Sequence, residues 1–291
     1  MASFASPVKI IRPDKWRVPF VFSSPHSGQN YPKKFIESST LNFIKLRQSE
    51  DFLVDELFSG APVYGSPLIC AEFPRAYCDA NREAFELDPH MYRTPLPDYV
   101  TTTSPRLANG IGTIPKVVGA GQEIYNRKLD FEEAQRRIRE CYFPYHHALR
   151  QLLDEGRKIF GYIYLIDCHS MPTASPLSCA KRSALGPPRP DIILGNRYGT
   201  SCEPGLFNSV LSRLKNYGYQ IGQNTPYAGG FITAHYGKPN QNIHALQIEI
   251  NRALYMDQKE LRLNAGFDIL KEAITSFIRD MSEDHSSLLR A

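Results

Sequence analysis

The chain is 291 residues long, 42% hydrophobic and 22% charged, with a formal net charge of +4. A chain of that size builds a core large enough to fold without a disulfide or metal staple, and its composition is that of a globular protein. The positive charge is spread without a run of Lys or Arg, which argues against a nucleic-acid partner, and no apolar stretch has the length of a membrane span or a signal sequence. Six cysteines without a CxxC pair point to reduced thiols in a cytoplasmic protein.

In chain order, an apolar run predicts a strand over 18–23 that ends in "SSPHSG" and delivers His26. A helix is expected over 46–59, with Glu50, Asp51 and Asp55 at its head, then a strand over 67–73 and the cluster Arg75, Asp79, Asn81 and Arg82. Residues 86–123 are rich in Pro, Thr and Gly and too long for an ordinary connection. A helix over 130–158 carries capping-box spacing at Asp130 and Glu133, with a kink or break expected at Pro144. The continuous apolar strand 161–167 leads into Cys168 and His169, and a second long loop follows over 170–190. A strand over 191–194, a helix over 203–217 closed by Gly218, and a strand over 219–222 come next. The series ends with a strand over 245–250 and a helix over 257–280, the latter with capping-box spacing at Asp257 and Glu260.

Strands separated by helices predict a mixed, mainly parallel sheet flanked by helices, in one α/β domain over residues 1–291. Ligands of such sheets bind beyond the carboxyl ends of the strands, where His26 and His169 are expected. Imidazoles meeting there bind Zn²⁺, act as acid and base, or cap loops, and a catalytic zinc also needs a third ligand. Asp51 is one candidate; the competing reading gives it, like Asp55, to the dipole of its helix. On "HALQIEIN" the residues Gln247, Glu249 and Asn251 share one face. In an interior strand Glu249 would be covered and suited to a general base; in an edge strand it would stand in water. Arg75, Asn81 and Arg82 suit a carboxylate clamp, or a surface ion-pair network with Glu72, Asp79 and Glu83. Gly229 and Gly230 suit a close backbone approach or a plain turn. Cys168 and His169, adjacent on a strand, are expected to face opposite ways, which disfavours a nucleophile–base pair.

Taken in order, "SPHSG", the Asp of "EDF", "RAYCDANR", "DCHS", "NRYGTSCEP", "GGFITAHYG" and "HALQIEINRALYMD" resemble the N-formylglutamate amidohydrolase family, from about residue 18 to 257. The resemblance implies a fold like that of zinc exopeptidases of the carboxypeptidase A type, with one Zn²⁺ per chain. It implies hydrolysis of N-formyl-L-glutamate, or of another small N-acyl amino acid, as a cytoplasmic enzyme with a small-molecule substrate and neither nucleic-acid nor membrane partners. His26, Asp51 and His169 correspond to the metal ligands, Glu249 to the acid that handles the proton of the attacking water, and Arg75 to an oxyanion or second-carboxylate partner. Asn81 and Arg82 correspond to the pair that holds the substrate carboxylate, with Gly229, Gly230 and His235 also on the substrate side. Asp167 is placed to orient an imidazole. Two positions depart from the pattern. Gln29 stands where those peptidases carry an acid three residues after the first His, and Ala234 stands where deformylases are expected to carry Arg, which leaves the acyl amino acid open. The rival readings are a zinc carboxypeptidase, a thiol hydrolase built on Cys168, and a non-catalytic binder of acidic metabolites.

Overall fold

The computed structural model describes residues 4, 6–119, 121–173 and 190–287. Most of the loop expected over 170–190, with Cys179, lies outside the described residues. A seven-stranded sheet is formed by β1 (Val8–Ile11), β2 (Phe20–Ser24), β3 (Leu68–Ala71), β4 (Ile163–Met171), β5 (Ile192–Gly195), β6 (Ile221–Gln223) and β7 (Ile243–Asn251). Their order is β1-β3-β2-β4-β7-β5-β6. β2, β4 and β7 run parallel, β5 runs antiparallel to β7, and β6 parallel to β5. The sheet is therefore mixed and mainly parallel among these pairs, as the apolar runs implied.

Every expected strand is present, and β1 is an addition whose four residues are too few and too exposed for a periodicity signal. β4 runs to Met171, well beyond the expected end, because its ladder with β7 continues through Met171 opposite Asn251. His169 thus lies inside a strand and not past its end.

The helices needed more correction. The segment expected as a helix over 46–59 is two short pieces, Phe43–Leu46 and Val54–Leu57, separated by a 3₁₀ turn and by Glu50–Leu53. Leu53 sits at φ 53, a left-handed conformation that a helix cannot pass through. The helix expected from 257 begins at Gly266 instead. Asp257 does accept from the amides of Lys259 and Glu260, but it closes a small hairpin, Met256–Asp257 against Arg262–Leu263. Asp130 stands at the start of the helix Phe131–Arg137 without capping it, since its carboxylate takes Arg93 while Glu133 binds Arg127 and Arg137. Pro144 does not break the chain of turns: a π-helical turn, Ile138–Tyr142, joins that helix to Phe143–Phe160. The wider turn relieves the ring's clash with the preceding carbonyls. Gly218, at φ 90, closes the helix Pro204–Asn216 as expected; its amide bonds the carbonyl of Lys215, and that of Tyr219 bonds Leu214, a Schellman arrangement. The long stretch 86–123 is built from 3₁₀ turns at Pro89–Met91 and Leu107–Asn109 and a short pairing of Val117–Val118 with Gln122–Glu123.

The chain divides into two compact units, each woven from three stretches. The first comprises Met1–Lys9, Pro25–Glu50 and Cys70–Arg150. Its interior holds the buried guanidinium of Arg137, which lies 4.3 Å from the ring of Tyr77 and bonds Glu133 and the Tyr125 hydroxyl. The second comprises Ile10–Ser24, Asp51–Ile69 and Gln151–Ala291. Its core includes the apolar face of β4 and β7 and the stripe Leu270, Ile274, Phe277, Ile278 and Met281 of the helix Gly266–Glu283. Among the described residues no helix is long and apolar enough to cross a membrane.

Candidate functional site

β4 and β7 are parallel neighbours with His169 opposite Glu249 and Asp167 opposite Gln247, so these four side chains make two polar rungs on one face. The alternate residues, Cys168, Leu246, Ile248 and Ile250, are fully buried in the core on the other face, which removes Cys168 as a partner for His169. β7 is interior, so Glu249 is covered, only 7% exposed, as the interior-strand reading required. Gln247 Nε2 donates to Glu249 Oε1 at 2.9 Å, and Gln247 Oε1 accepts from the amide of Gly230 at 2.8 Å. The backbone leading into the glycine pair lies close against β5: a Cβ on Gly195 would lie 2.7 Å from the Ala228 carbonyl carbon and 2.8 Å from the Gly229 nitrogen.

His169 is wedged between two acids. Its Nε2 lies 3.1 Å from Asp167 and its Nδ1 2.9 Å from Asp51. Burial opposes a charge on the ring, but Asp167, Asp51 and Glu249 outweigh it and hold the imidazole pKa well above its ordinary value. Asp167 also accepts from the hydroxyls of Ser23 and Thr233. Asp51 accepts from Ser170 Oγ and Arg252 Nη2, each at 3.1 Å, and Arg252 Nε in turn donates to Ser170. The break in the expected helix explains why Asp51 is here. With Leu53 left-handed, Asp51 precedes the short helix and only Asp55 and Glu56 lie in its first turn. Asp55 lies in the first turn, where it was expected; Asp51 does not. Glu50 is bound by Arg47 through two nitrogens.

His26 follows β2 by two residues, and its Nε2 lies 2.7 Å from Asp79. Asp79 also meets Arg75 at 3.0 Å, Arg82 at 3.7 Å and the amide of Asn81 at 2.8 Å. Burial alone would raise its pKa, yet Arg82, His26 and Arg75 together hold it well below the usual carboxylate range. This is a buried hub and not the surface network considered from sequence: Glu72 pairs with Asn30, and Glu83 meets Thr101. Arg82 spends Nε on the Ile111 carbonyl and Nη1 on that of Asn81. Among the described residues His26, Asp51 and His169 form one group, each offering a ligand atom within 4.8 Å of the others, all three buried. His235 is exposed, its ring stacked on Phe231. Arg252 and Ser170 went unnoticed in the sequence; the signal was a charged residue at the end of a strand with no exposed side.

The comparisons with known proteins agree with one another. The family model described as N-formylglutamate amidohydrolase matches residues 18–256. The N-formylglutamate deformylase of Pseudomonas aeruginosa is 28% identical over 273 residues, 92% of each chain. That of Pseudomonas putida is 28% identical over 257 residues, 87% of each. The crystal structure of N-formylglutamate amidohydrolase from Ralstonia eutropha JMP134 superposes with a TM-score of 0.89 at 36% identity, over 96% of this chain and 98% of that one. With the model spanning most of its length, this chain belongs to the N-formylglutamate amidohydrolase family.

Proposed function

We propose that the chain is a zinc-dependent amidohydrolase that cleaves N-formyl-L-glutamate to L-glutamate and formate. The observation that carries the reading is the buried group His26, Asp51 and His169, each member braced by a further polar partner. Two imidazoles and one carboxylate are the donor set of a catalytic zinc with an open position. With Nε2 of His26 against Asp79 and Nε2 of His169 against Asp167, Nδ1 is the nitrogen each ring would present to a cation. A cation bound there supplies Lewis acidity toward the amide oxygen and makes a water acidic enough to attack near neutral pH.

The chain's own residues do the rest. Glu249, fixed by Gln247, accepts the proton of the attacking water at a carboxylate oxygen as the water oxygen bonds to the formyl carbon. It then returns that proton to the glutamate nitrogen as the C–N bond breaks. Asn81 and Arg82 hold the α-carboxylate, with Arg75 beside them for the charge that develops on the amide oxygen. The relatives' names support the substrate, and the donor set supports the metal. Glu249→Gln tests the assignment: formate release should fall by at least about a hundredfold while metal content per chain stays as in the wild type. Activity within a few-fold of the wild type would remove Glu249 from the mechanism.

A further inference from the structure

Arg197 and Tyr198 are consecutive residues with side chains at φ 53 and 56. Such backbone is unfavourable outside glycine and survives only where its surroundings enforce it. Here Asn196 and Asn224 do so. The Asn224 carboxamide oxygen accepts from the amides of Asn196 and Tyr198, and the Asn196 oxygen accepts from Gly199 and from the Asn224 amide group. The result lays the Arg197 side chain along Gly229, where a Cβ would lie 3.1 Å from Arg197 Cδ, and Arg197 Nη1 donates to the Gly229 carbonyl at 3.3 Å. Gly230 is the next residue, and its amide holds the Gln247 that fixes Glu249. A cavity of about 290 Å³ opens at this side chain, with Thr200, Ser201, Ala234 and Lys238 on its walls. It has two cations and no carboxylate, and neither Arg197 nor Lys238 is in an ion pair among the described residues.

We propose that Arg197, with Lys238, is the carboxylate-binding end of the site, which takes the acidic side chain of the substrate and so sets the preference for glutamate over neutral acyl amino acids. The inference rests on the hydrolase reading above and deepens it by naming the specificity residue. A planar guanidinium holds a carboxylate through two parallel bonds, and two unpaired cations without a nearby acid disfavour an uncharged amide in the same place. The small side chain of Ala234 lines the same cavity.

The test compares N-formyl-L-glutamate with its neutral isostere N-formyl-L-glutamine, and adds binding of glutarate, a dicarboxylate that cannot be hydrolysed. Arg197→Gln should lower the glutamate-to-glutamine ratio of kcat/KM by roughly ten- to a hundredfold, chiefly through the KM for the glutamate substrate. Arg197→Lys should recover part of the loss. Calorimetric glutarate binding should weaken to a similar extent in Arg197→Gln and in Lys238→Met. An unchanged ratio in a folded, active Arg197→Gln enzyme overturns the inference alone. Wild-type protein that hydrolyses neither substrate but binds glutarate through Arg197 overturns the hydrolase reading and leaves the carboxylate site standing. Glutarate binding that is indifferent to both substitutions overturns the site.

Discussion

Asp79 shows how much of the candidate site depends on a residue outside the proposed ligand set. It meets His26, Arg75, Arg82 and the Asn81 amide at once, and the surrounding positive charge keeps it ionised although burial opposes it. Asp79→Asn keeps the shape but removes the charge that orients and enriches the His26 ring. Metal affinity, measured by competition with a chelator of known strength, should fall by about ten- to a hundredfold, as expected when an outer-shell carboxylate is lost. An unchanged affinity would place Asp79 outside the metal's support. The two histidines were legible as candidates because each follows an apolar run in a Ser–Pro setting, whereas spacing alone left Asp51 open to a helix-dipole role. The supports of these residues were less legible. Arg252 reaches Asp51 across 201 residues, and nothing in local spacing reveals a partnership made by the fold.

At the scale of elements, the strands were readable because their apolar runs reflect burial on both faces, which β4 and β7 show along all nine residues. The helix boundaries were less so, although Pro204–Asn216 ends at Gly218 as expected. Leu53 carries no turn signal, yet its left-handed backbone separates Asp51 from the helix that the hydrophobic pattern suggested. Asp257 has the chemistry of a helix cap and uses it on a hairpin. Two predictions belong here. Gly195→Ala would place a methyl group against the backbone of Ala228 and Gly229, forcing the loop that holds Gln247 to move. kcat/KM should fall about tenfold or more, because a small displacement of reacting groups is costly; unchanged kinetics would contradict the role given to that approach. The second concerns Glu133. Burial would raise the pKa of this half-buried acid, but Arg137 and Arg127 outweigh it and hold the carboxyl below its ordinary value. The unfolded chain therefore takes up the proton first. The stabilisation is complete above about pH 4.3 and is lost as the pH falls through the folded value. The difference in denaturation midpoint between wild type and Glu133→Gln should shrink from about pH 6 to about pH 3. A difference that stays constant would show that the pair contributes no linked stability.

For the molecule as a whole, the central pair β4 and β7 gives one face to apolar packing and the other to the polar rungs of the candidate site. Cys168, Leu246, Ile248 and Ile250 point one way, and Asp167, His169, Gln247 and Glu249 the other. Family membership places this arrangement among N-formylglutamate amidohydrolases, and the donor set carries the account of metal-assisted hydrolysis. The most direct measurement is formate release from N-formyl-L-glutamate by purified protein, before and after chelation and after zinc is restored. The account predicts release that stops when the metal is removed and returns with zinc, with about one ion bound per chain. Release that continues undiminished in metal-free protein would contradict it.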